Sequence, residues 1–522
     1  MWKLDKLFHF SYVPPLAVRQ KEENKIKCIP IQISPSGAGF KACINIYVLY
    51  GCLVIINFFK KINMDQSVKF DLDLIHRYDK SGPRYTSYPT ALELHDGFIE
   101  QDYHQQVELS NKRGGPLSLY FHIPFCDTVC YYCACNKIIT KNREHAEPYL
   151  ANLFKEIELQ GALFDSKRIV NQLHWGGGTP TFLDYEQMSR LMVVTRQHFH
   201  LKDDDTGEYS IEIDPRATND KTIKQLRELG FNRISLGVQD FDPAVQQAVN
   251  RIQSETQTFA VLESARKEGF RSTSIDLIYG LPLQTVASFS VTLDKILSVE
   301  PDRFSIFNYA HLPARFKTQR QINDADMPNA EVKLDILQMI IQRLLEAGYV
   351  YIGMDHFAKP GDELAIAQRE NKLYRNFQGY STHSDCDLIG LGITSIGRIA
   401  DSYVQNVKDL PAYDSLISKG ELPVFKGFVL NADDKLRRAV ITQLICHFSL
   451  SFGNIEQVYK INFKNYFSCE LNALGAMQDD GLLVINSEGI QVLAVGRLLI
   501  RNICMVFDAY VQANTEQFSK VI

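Results

Sequence analysis

The chain has no excess of basic side chains. Its 522 residues include 56 Lys and Arg against 61 Asp and Glu, which gives a formal net charge of −5. Proteins that bind DNA or RNA usually present a positive field to the phosphates, so this balance argues against a nucleic-acid partner. The glycine run Gly176–Gly178 also lacks the form of two nucleotide-binding signatures, because it is neither G-x-G-x-x-G nor followed by G-K-[ST].

Long hydrophobic runs are scarce, with one exception near the start. Ala42–Phe59 is an uncharged apolar run of 18 residues, flanked by Lys41 and Lys60. Its length reaches the lower limit for a membrane-spanning helix, and a membrane anchor is the literal interpretation. Two Asn within the run and a preceding segment unlike a signal peptide argue against an anchor. We expect translation to start at Met64, which makes residues 1–63 a non-native upstream extension and predicts a cytoplasmic protein without membrane attachment.

Three cysteines follow one apolar strand pattern at C-x3-C-x2-C spacing. Cys126, Cys130 and Cys133 lie on a short loop after LSLYFHI, and thiolates are the ligands that iron–sulfur clusters take. Three ligands on a four-iron cube leave one iron open, and an open metal position can bind a substrate or cofactor. A zinc site completed by Cys135 or His122 is the alternative, although structural zinc sites usually combine two separated ligand pairs. Cys135 is more naturally a residue that lines the site.

The middle of the chain predicts an α/β fold. Short apolar runs alternate with segments of helical apolar spacing; the runs are LSLYFHI, NQLHWGG, EYSIEID, RISLGVQ, STSIDLIYG and DRFSIFNY. Repeated strand–helix units imply a parallel sheet with right-handed crossovers. Six such strands make an incomplete (β/α)6 barrel, whose functional residues are expected at the carboxyl ends of the strands.

Three carboxylates on these strands are candidates for a functional role on physical grounds. Glu212 and Asp214 share one face of their strand because side chains alternate. Asp276 is a lone carboxylate in an apolar run. An unpaired charge inside a barrel is costly, which favours ligand binding at these positions. For Asp214 the alternative is a structural pair with Arg216 at the strand end.

The cysteine motif, in its wider context HIPFC and CYYCACNK, is similar to that of the radical S-adenosylmethionine enzymes. Within them, the stretch from Met64 to the C-terminus resembles the oxygen-independent coproporphyrinogen III oxidases. The resemblance implies a 4Fe-4S cluster and two molecules of S-adenosylmethionine. It implies oxidative decarboxylation of two propionates of coproporphyrinogen III to vinyl groups, which gives protoporphyrinogen IX. An electron donor and a terminal electron acceptor, both unidentified, are implied as partners of what is expected to be a monomer.

The resemblance also implies roles for individual residues. The cluster ligands are Cys126, Cys130 and Cys133, and no catalytic residue is identified. The residues expected at the cofactor are Tyr120, Tyr132, Gly177, Gly178, Thr179, Glu212, Gln239, Arg251, Asp276, Ala310 and Ile396. Cys135, Arg84 and Tyr85 are candidates for the substrate side, with a surface loop as the alternative for the last two. The alternative for the glycines is a tight turn without a ligand. For Asp355 and His356, a catalytic role and a core or loop role are equally supported.

The chain divides into regions by composition and by the resemblance. The C-terminal part has helical patterns followed by a hairpin, typical of a winged-helix-like module, and Cys446, Cys469 and Cys504 are expected in its core. The expected regions are the extension 1–63, an N-terminal arm 64–115, the partial barrel 116–310, a barrel extension and substrate-side region 311–421, and a mainly helical domain 422–522.

Two other functions fit some of the same motifs. A haem chaperone would share HIPFC and GGGTPT, but Ala134–Lys137 and the arm motif GPRYTSYPT favour the oxidases. A radical enzyme that acts on an RNA base is disfavoured by the acidic charge and by the lack of a recognisable RNA-binding module.

Overall fold

The computed structural model describes residues 68–511. The apolar run at 42–59 and the expected start at Met64 lie outside the described residues, and so do the predictions about them. All of the described residues belong to one compact unit. Among them, no helix combines the length and apolar character that crossing a bilayer requires. The expected division into regions stays a prediction, and its names are used below only to locate elements.

The arm contains short helices and packs against the C-terminal part of the chain. Its elements are α1 (Leu72–Arg77), a 3₁₀ helix (Ala91–Glu93) and α2 (Glu100–Arg113). The carbonyl oxygen of Tyr78 accepts a hydrogen bond from Asn502 Nδ2 at 2.9 Å. The buried hydroxyl of Tyr85 donates to Asp508 at 2.9 Å.

The barrel region alternates strands and helices, as the apolar pattern predicts. Its strands are β1 (Leu117–Ile123), β2 (Phe125–Cys126), β3 (Ile138–Ile139), β4 (Ile169–Gly177), β5 (His200–Leu201), β6 (Glu208–Ile213), β7 (Arg233–Gln239), β8 (Ser272–Tyr279) and β9 (Arg303–Asn308). Its helices are α3 (Ala146–Leu163), α4 (Tyr185–His198), α5 (Asp220–Glu228), α6 (Pro243–Ala248), α7 (Glu255–Lys267) and α8 (Val286–Ser298), with 3₁₀ helices at Arg143–His145, Pro180–Phe182 and Pro215–Ala217. Strands β1, β4, β6, β7, β8 and β9 pair in that order, and all are parallel.

Alternation along the strands gives the barrel a polar interior. In β6, Tyr209, Ile211 and Ile213 are buried against the surrounding elements, whereas Glu212 is only partly buried. In β7 and β8 the alternation leaves Ser235 and Asp276 partly exposed between buried apolar neighbours. Because successive side chains point to opposite faces, the polar set lines the inside of the barrel.

The extension continues the same sheet on both sides. Its helices are α9 (Ala330–Glu346), α10 (Glu363–Arg369) and α11 (Leu410–Ser418), with 3₁₀ helices at Lys317–Gln321 and Asp324–Asp326. Its strands are β10 (Val350–Gly353), β11 (His356–Ala358), β12 (Tyr374–Asn376), β13 (Gly379–Ser381), β14 (Asp387–Leu391), β15 (Ile396–Ile399), β16 (Ser402–Asn406) and β17 (Val424–Val429). Strand β11 pairs with β9 and β14 pairs with β1, so β1 and β9 do not close on each other and the barrel is partial.

The C-terminal part is mainly helical and carries a small antiparallel sheet. Its elements are α12 (Ala432–His447), β18 (Ser449–Ser451), α13 (Phe452–Tyr459), α14 (Phe463–Tyr466), α15 (Ser468–Ala473), α16 (Gly475–Asp479), β19 (Leu483–Ile485), β20 (Gly489–Val492) and α17 (Ile500–Met505). Strand β20 lies between β18 and β19. Cys446 and Cys504 are buried, as expected, but the expectation for Cys469 is wrong. Its thiol is exposed, because the short helix α15 buries none of its residues.

Candidate active site

The cysteine loop lies between β1 and α3 and is closed at its base by a short strand pair. Cys126 belongs to β2, which pairs in parallel with β3. The ammonium of Lys137 donates to the carbonyl oxygen of Cys133 at 2.8 Å, and the amide of Cys133 donates to the carbonyl oxygen of Cys130 at 3.2 Å. These bonds fold the loop back on itself, and none of its cysteines forms a disulfide.

The thiols of this loop have unequal acidities. Burial raises the pKa of Cys126 to about 11. A hydrogen bond with the thiol of Cys135 lowers the pKa of Cys133 to about 6. Because a thiolate is the form that binds metal, loading the loop must displace a proton at least from Cys126.

The loop opens onto a cavity of about 500 Å³ at the carboxyl ends of the barrel strands. All three loop cysteines of the C-x3-C-x2-C motif line it. Eight of the residues expected at the cofactor line it too: Tyr132, Gly177, Gly178, Thr179, Glu212, Gln239, Arg251 and Asp276. Cys135 also lines this cavity and has an exposed thiol. We call this space the cluster cavity.

The glycine run at the end of β4 packs directly on the cysteine loop. A Cβ atom on Gly178 would lie 2.7 Å from the carbonyl oxygen of Phe125, and one on Gly177 would lie 2.7 Å from the His122 ring. The amide of Gly178 donates to Ile123 and that of Thr179 to Phe125, both at 2.8 Å. These two N–H groups are therefore engaged within the fold and do not face a ligand. Close backbone approach explains the glycines.

Glu212 and Asp276, which both line the cluster cavity, differ in acidity. Glu212 accepts from the amide of Gly177 and from His174 Nε2, each at 3.3 Å. Burial acts to raise the pKa of Glu212, but the hydrogen bond with His174 helps to hold this pKa below its usual range. Asp276 accepts from Ser235 Oγ at 3.0 Å. Desolvation, followed by the charge of Glu212, raises the pKa of Asp276 to about 7. One carboxylate is thus ionised at neutral pH and the other is poised to change state.

Two guanidinium groups surround Cys130. Arg216 and Arg251 each place an Nη atom 3.5 Å from its Sγ. Both also contact Asp214, at 2.6 Å and 3.2 Å respectively. Burial acts to raise the pKa of Asp214, but the charge of Arg251 holds this pKa below its usual range. The result is a fixed positive charge beside the thiol of Cys130, while the buried Nε of Arg251 has no hydrogen-bond partner in the described structure.

The donor set of the loop fits an iron–sulfur cluster better than zinc. The sulfurs of Cys126, Cys130 and Cys133 do not all lie within 4.8 Å of one another, whereas tetrahedral zinc with Zn–S bonds of about 2.3 Å needs closer sulfurs. Both ring nitrogens of His122 are engaged, by Asn136 O at 3.0 Å and Tyr120 Oη at 3.2 Å. His122 is therefore not available as a fourth ligand, and three thiols with flanking cations suit an anionic cluster.

Similarity to known proteins agrees with an iron–sulfur site in this chain. Residues 120–296 match the model described as the Radical SAM superfamily. The oxygen-independent coproporphyrinogen III oxidase of Pseudomonas aeruginosa is 52% identical over 460 residues, which cover 88% of this chain and all of the relative. The chain belongs to the oxygen-independent coproporphyrinogen III oxidase family. The expected family is thereby confirmed.

Two further relatives of the family support the same assignment. The Escherichia coli (strain K12) oxidase is 51% identical over 459 residues, covering 88% of this chain and 99% of the relative. A solved structure of coproporphyrinogen III oxidase from Escherichia coli, named as a radical SAM enzyme, matches with a TM-score of 0.81 at 50% identity. It covers 85% of this chain and 100% of that structure. The expected fold, a partial (β/α)6 barrel with an arm and a mainly helical, winged-helix-like C-terminal part, is also confirmed.

Some of the residues that the family resemblance predicts at the site lie outside the cluster cavity. Tyr120 stacks on His174 with ring centroids 5.8 Å apart. Ile396 lies in β15, where its backbone is 3.0 Å from the position of a Cβ on Gly390. Because Gly390 is the register partner of Tyr120, Tyr120 and Ile396 lie at the same height along the strands of the sheet.

The remaining predicted residues lie at or near a second cavity. Ala310 and Arg84 both line it, whereas Tyr85 is 4% exposed and is held by Asp508. A substrate contact through the Tyr85 hydroxyl is therefore not supported by its position. The side chain of Asp355 pairs with Arg84 at 2.5 Å.

Sequence reasoning missed several polar residues of the site. Ser235 donates to Asp276, His174 contacts Glu212, and Arg216 reaches Cys130. For Ser235 a signal was present, because it lies four positions before Gln239 and shares its strand face. For Arg216 there was none, since its thiol contact joins residues 86 positions apart.

Proposed function

We infer that this chain catalyses the oxygen-independent oxidative decarboxylation of coproporphyrinogen III in porphyrin biosynthesis. Two propionate side chains become vinyl groups, and the product is protoporphyrinogen IX. One observation carries the inference: a chain that covers the full length of known oxidases brings four free cysteines, two arginines and four carboxylates to one cavity. The chain is accordingly an oxidoreductase.

The cysteine loop would hold a 4Fe-4S cluster through Cys126, Cys130 and Cys133. When bound, the cluster and S-adenosylmethionine supply a 5′-deoxyadenosyl radical that removes a hydrogen atom from the substrate. Arg216 and Arg251 lie beside Cys130 and stabilise the negative charge that thiolate ligation brings. Their own position is fixed by Asp214.

The cluster cavity would bind one molecule of S-adenosylmethionine. Glu212 and Asp276 offer carboxylates to its cationic groups, and Gln239 and Tyr132 face the same space. Arg251 offers a guanidinium for a carboxylate. The backbone at Gly177, Gly178 and Thr179 lets a ligand approach closely, which a side chain at these positions would prevent.

We propose that a second molecule of S-adenosylmethionine binds beyond the cluster cavity. Tyr120 and Ile396 line neither that cavity nor the second one, and they are the residues that would contact the second molecule. Cys135 and Arg84 then remain candidates for the substrate side.

The substrate chemistry sets what the fold must do. Loss of a hydrogen atom from the β-carbon of a propionate, then of CO₂ and one electron, leaves a vinyl group. The released electron requires a terminal acceptor, and the cluster requires an electron donor. The proposal also includes a monomeric state, a cytoplasmic location and the domain boundaries expected above. Carbon radicals react with oxygen, so the barrel interior and the arm serve to exclude it.

The experiment compares two cysteine variants under anaerobic conditions. Cys126→Ser removes a ligand, and Cys469→Ser removes an exposed thiol on α15 as a matched control. After reconstitution with iron and sulfide, each protein is assayed for iron content and for protoporphyrin formed from coproporphyrinogen III with dithionite, S-adenosylmethionine and a cell extract. We expect loss of the cluster and of product only in Cys126→Ser.

Two other results would contradict the proposal. Undiminished turnover in air without S-adenosylmethionine would exclude the radical mechanism. Cleavage of S-adenosylmethionine without any porphyrin product would leave the radical chemistry in place and refute coproporphyrinogen III as the substrate.

A further inference from the structure

A second cavity, of about 490 Å³, lies on the outer side of β9. We call it the β9–α9 cavity. Its wall is apolar where helix α9 faces strand β9, and it is closed by the arm and by the last described helix, α17. The apolar residues that form this wall include Ile75, Ile306, Leu334, Leu337, Ile340 and Leu498. A wall of this kind suits a ligand with a large hydrocarbon surface.

The contacts within the fold do not account for the ammonium group of Lys333 in this cavity. It lines the cavity from α9 and is half-buried. In the described part of the chain its ammonium has neither a hydrogen bond nor an ion pair. Burial lowers the pKa of Lys333, and no charged neighbour contributes to the shift. A partly buried ammonium that faces a cavity and has no anionic neighbour can pair with an anion that a ligand supplies.

A second unpartnered polar group lies next to Lys333. The buried Oδ1 of Asn308 accepts no hydrogen bond in the described structure. A Cβ atom on Gly280 would lie 3.1 Å from Lys333 Cε and 3.4 Å from Asn308 Oδ1. The ammonium stem and the amide therefore converge at the carboxyl end of β8. Since the amide orientation can be reversed, Asn308 can offer N–H donors to the same ligand.

The other charged residues of the cavity favour anions only slightly. Arg84 is paired with Asp355, and Arg501 Nε donates to the carbonyl oxygen of Pro83 at 2.8 Å. Asp79 also lines the cavity. Three cations thus face two carboxylates, and the net positive charge comes from Lys333. An occupant with a carboxylate at one end and a hydrocarbon body fits this distribution.

The β9–α9 cavity is close to the cluster cavity. Ala310 lines the former and Tyr132 lines the latter. Their carbonyl oxygens share one donor, the Nε2 atom of Gln319, at 3.2 Å and 3.1 Å. The two cavities are therefore neighbours, joined through the side chain of Gln319.

We propose that the β9–α9 cavity binds the part of the substrate that is not reacting, and that Lys333 pairs with one of its propionates. This inference rests on the proposed function, because coproporphyrinogen III supplies both the apolar ring system and the spare carboxylates. Lys333 is a positioning residue here: it sets which propionate reaches the cluster cavity and takes no part in bond breaking.

The test uses the reconstituted enzyme and three variants. Lys333→Gln removes the charge, Lys333→Arg restores it, and Lys224→Gln makes the same change at an exposed residue of α5 that lines neither cavity. Two quantities are measured: KM and kcat for coproporphyrinogen III, and Kd for coproporphyrin III, the fluorescent oxidised form, by anaerobic titration. Thermal melting checks that each variant is folded.

We expect Lys333→Gln to raise both KM and Kd by about tenfold to a hundredfold, as loss of a charge-assisted hydrogen bond does. The kcat at saturation should stay within about threefold of the wild type, and Lys333→Arg should recover most of the affinity. Affinities of Lys333→Gln equal to those of Lys224→Gln, in an active enzyme, would overturn the cavity proposal and leave the function intact. Binding of coproporphyrin III that depends on Lys333, without turnover by the wild type, would support the cavity and refute the function.

Discussion

Replacing Asp276 by Asn tests whether the barrel keeps a costly carboxylate for a ligand. The side chain lies inside the barrel, accepts from Ser235 and is near the charge of Glu212. Desolvation and that charge raise its pKa from an ordinary value of 3.8 to about 7. Asn has nearly the same shape and can accept the same hydroxyl, so the substitution removes mainly the charge.

The sign and size of the effect follow from linkage. Between pH 3.8 and about 7 the unfolded chain has released the Asp276 proton while the folded chain retains it. Folding stability is therefore lost as pH rises through this window, and the full penalty applies above pH 7. Each pH unit is worth about 1.36 kcal/mol, which gives an upper limit of about 4 kcal/mol. Water in the open cavity screens the charge, so we expect about 2 kcal/mol.

The assay is thermal unfolding of the apoprotein at pH 5 and pH 8. For a unit of this size, about 2 kcal/mol corresponds to a Tm shift of about 2 °C. Asp276→Asn should melt about 2 °C above the wild type at pH 8 and much closer to it at pH 5. Asp335→Asn, an exposed control on α9, should change Tm little at either pH.

Binding provides the second half of the same prediction. At pH 8 the reconstituted Asp276→Asn enzyme should bind S-adenosylmethionine at least about tenfold more weakly, since a carboxylate opposite a cationic ligand is lost. Equal or lower stability at pH 8 together with unchanged affinity would refute the argument that this carboxylate is retained for function.

Three further variants test other parts of the structure. Gly178→Ala should lower Tm and iron content, because its Cβ would lie 2.7 Å from the Phe125 carbonyl oxygen, a clash worth about 1–3 kcal/mol. The control is Gly453→Ala, whose Cβ has no atom within 4 Å, and it should change neither Tm nor iron content. Arg251→Met should cost about 3 kcal/mol of stability, as breaking a buried ion pair does, and should reduce cluster content measured by absorbance. Glu156→Gln should abolish a loss of about 3 kcal/mol of stability that the wild type undergoes between pH 4 and pH 8, because burial raises the pKa of this carboxyl from 4.5 to about 7. At pH 8 the gain is offset by the new amide N–H, since the Gly392 amide, Asn406 Nδ2 and Tyr413 Oη are all donors; product formation should not change.

Much of the fold could be predicted from local patterns in the sequence. The six barrel strands were predictable because apolar residues alternate with polar ones, as Ile211 and Ile213 do around Glu212. The cysteine loop was predictable from its spacing alone. Both features depend on residues a few positions apart.

Contacts between distant residues were not predictable in this way. The role of Gly178 depends on the backbone of Phe125, and the environment of Cys130 depends on Arg216 and Arg251. Cys469 was misplaced because apolar neighbours in the sequence do not reveal which side of a short helix is packed. Nothing in the sequence around Lys333 indicates that its ammonium lacks a partner.

The most direct test of the central claim follows one hydrogen atom. Coproporphyrinogen III carrying deuterium at the β-carbons of its propionates is incubated anaerobically with the reconstituted enzyme, dithionite, S-adenosylmethionine and a cell extract. The 5′-deoxyadenosine and the porphyrin are then analysed by mass spectrometry. The account predicts one deuterium in each 5′-deoxyadenosine molecule and one such molecule for each vinyl group formed. Vinyl groups formed alongside unlabelled 5′-deoxyadenosine would contradict it.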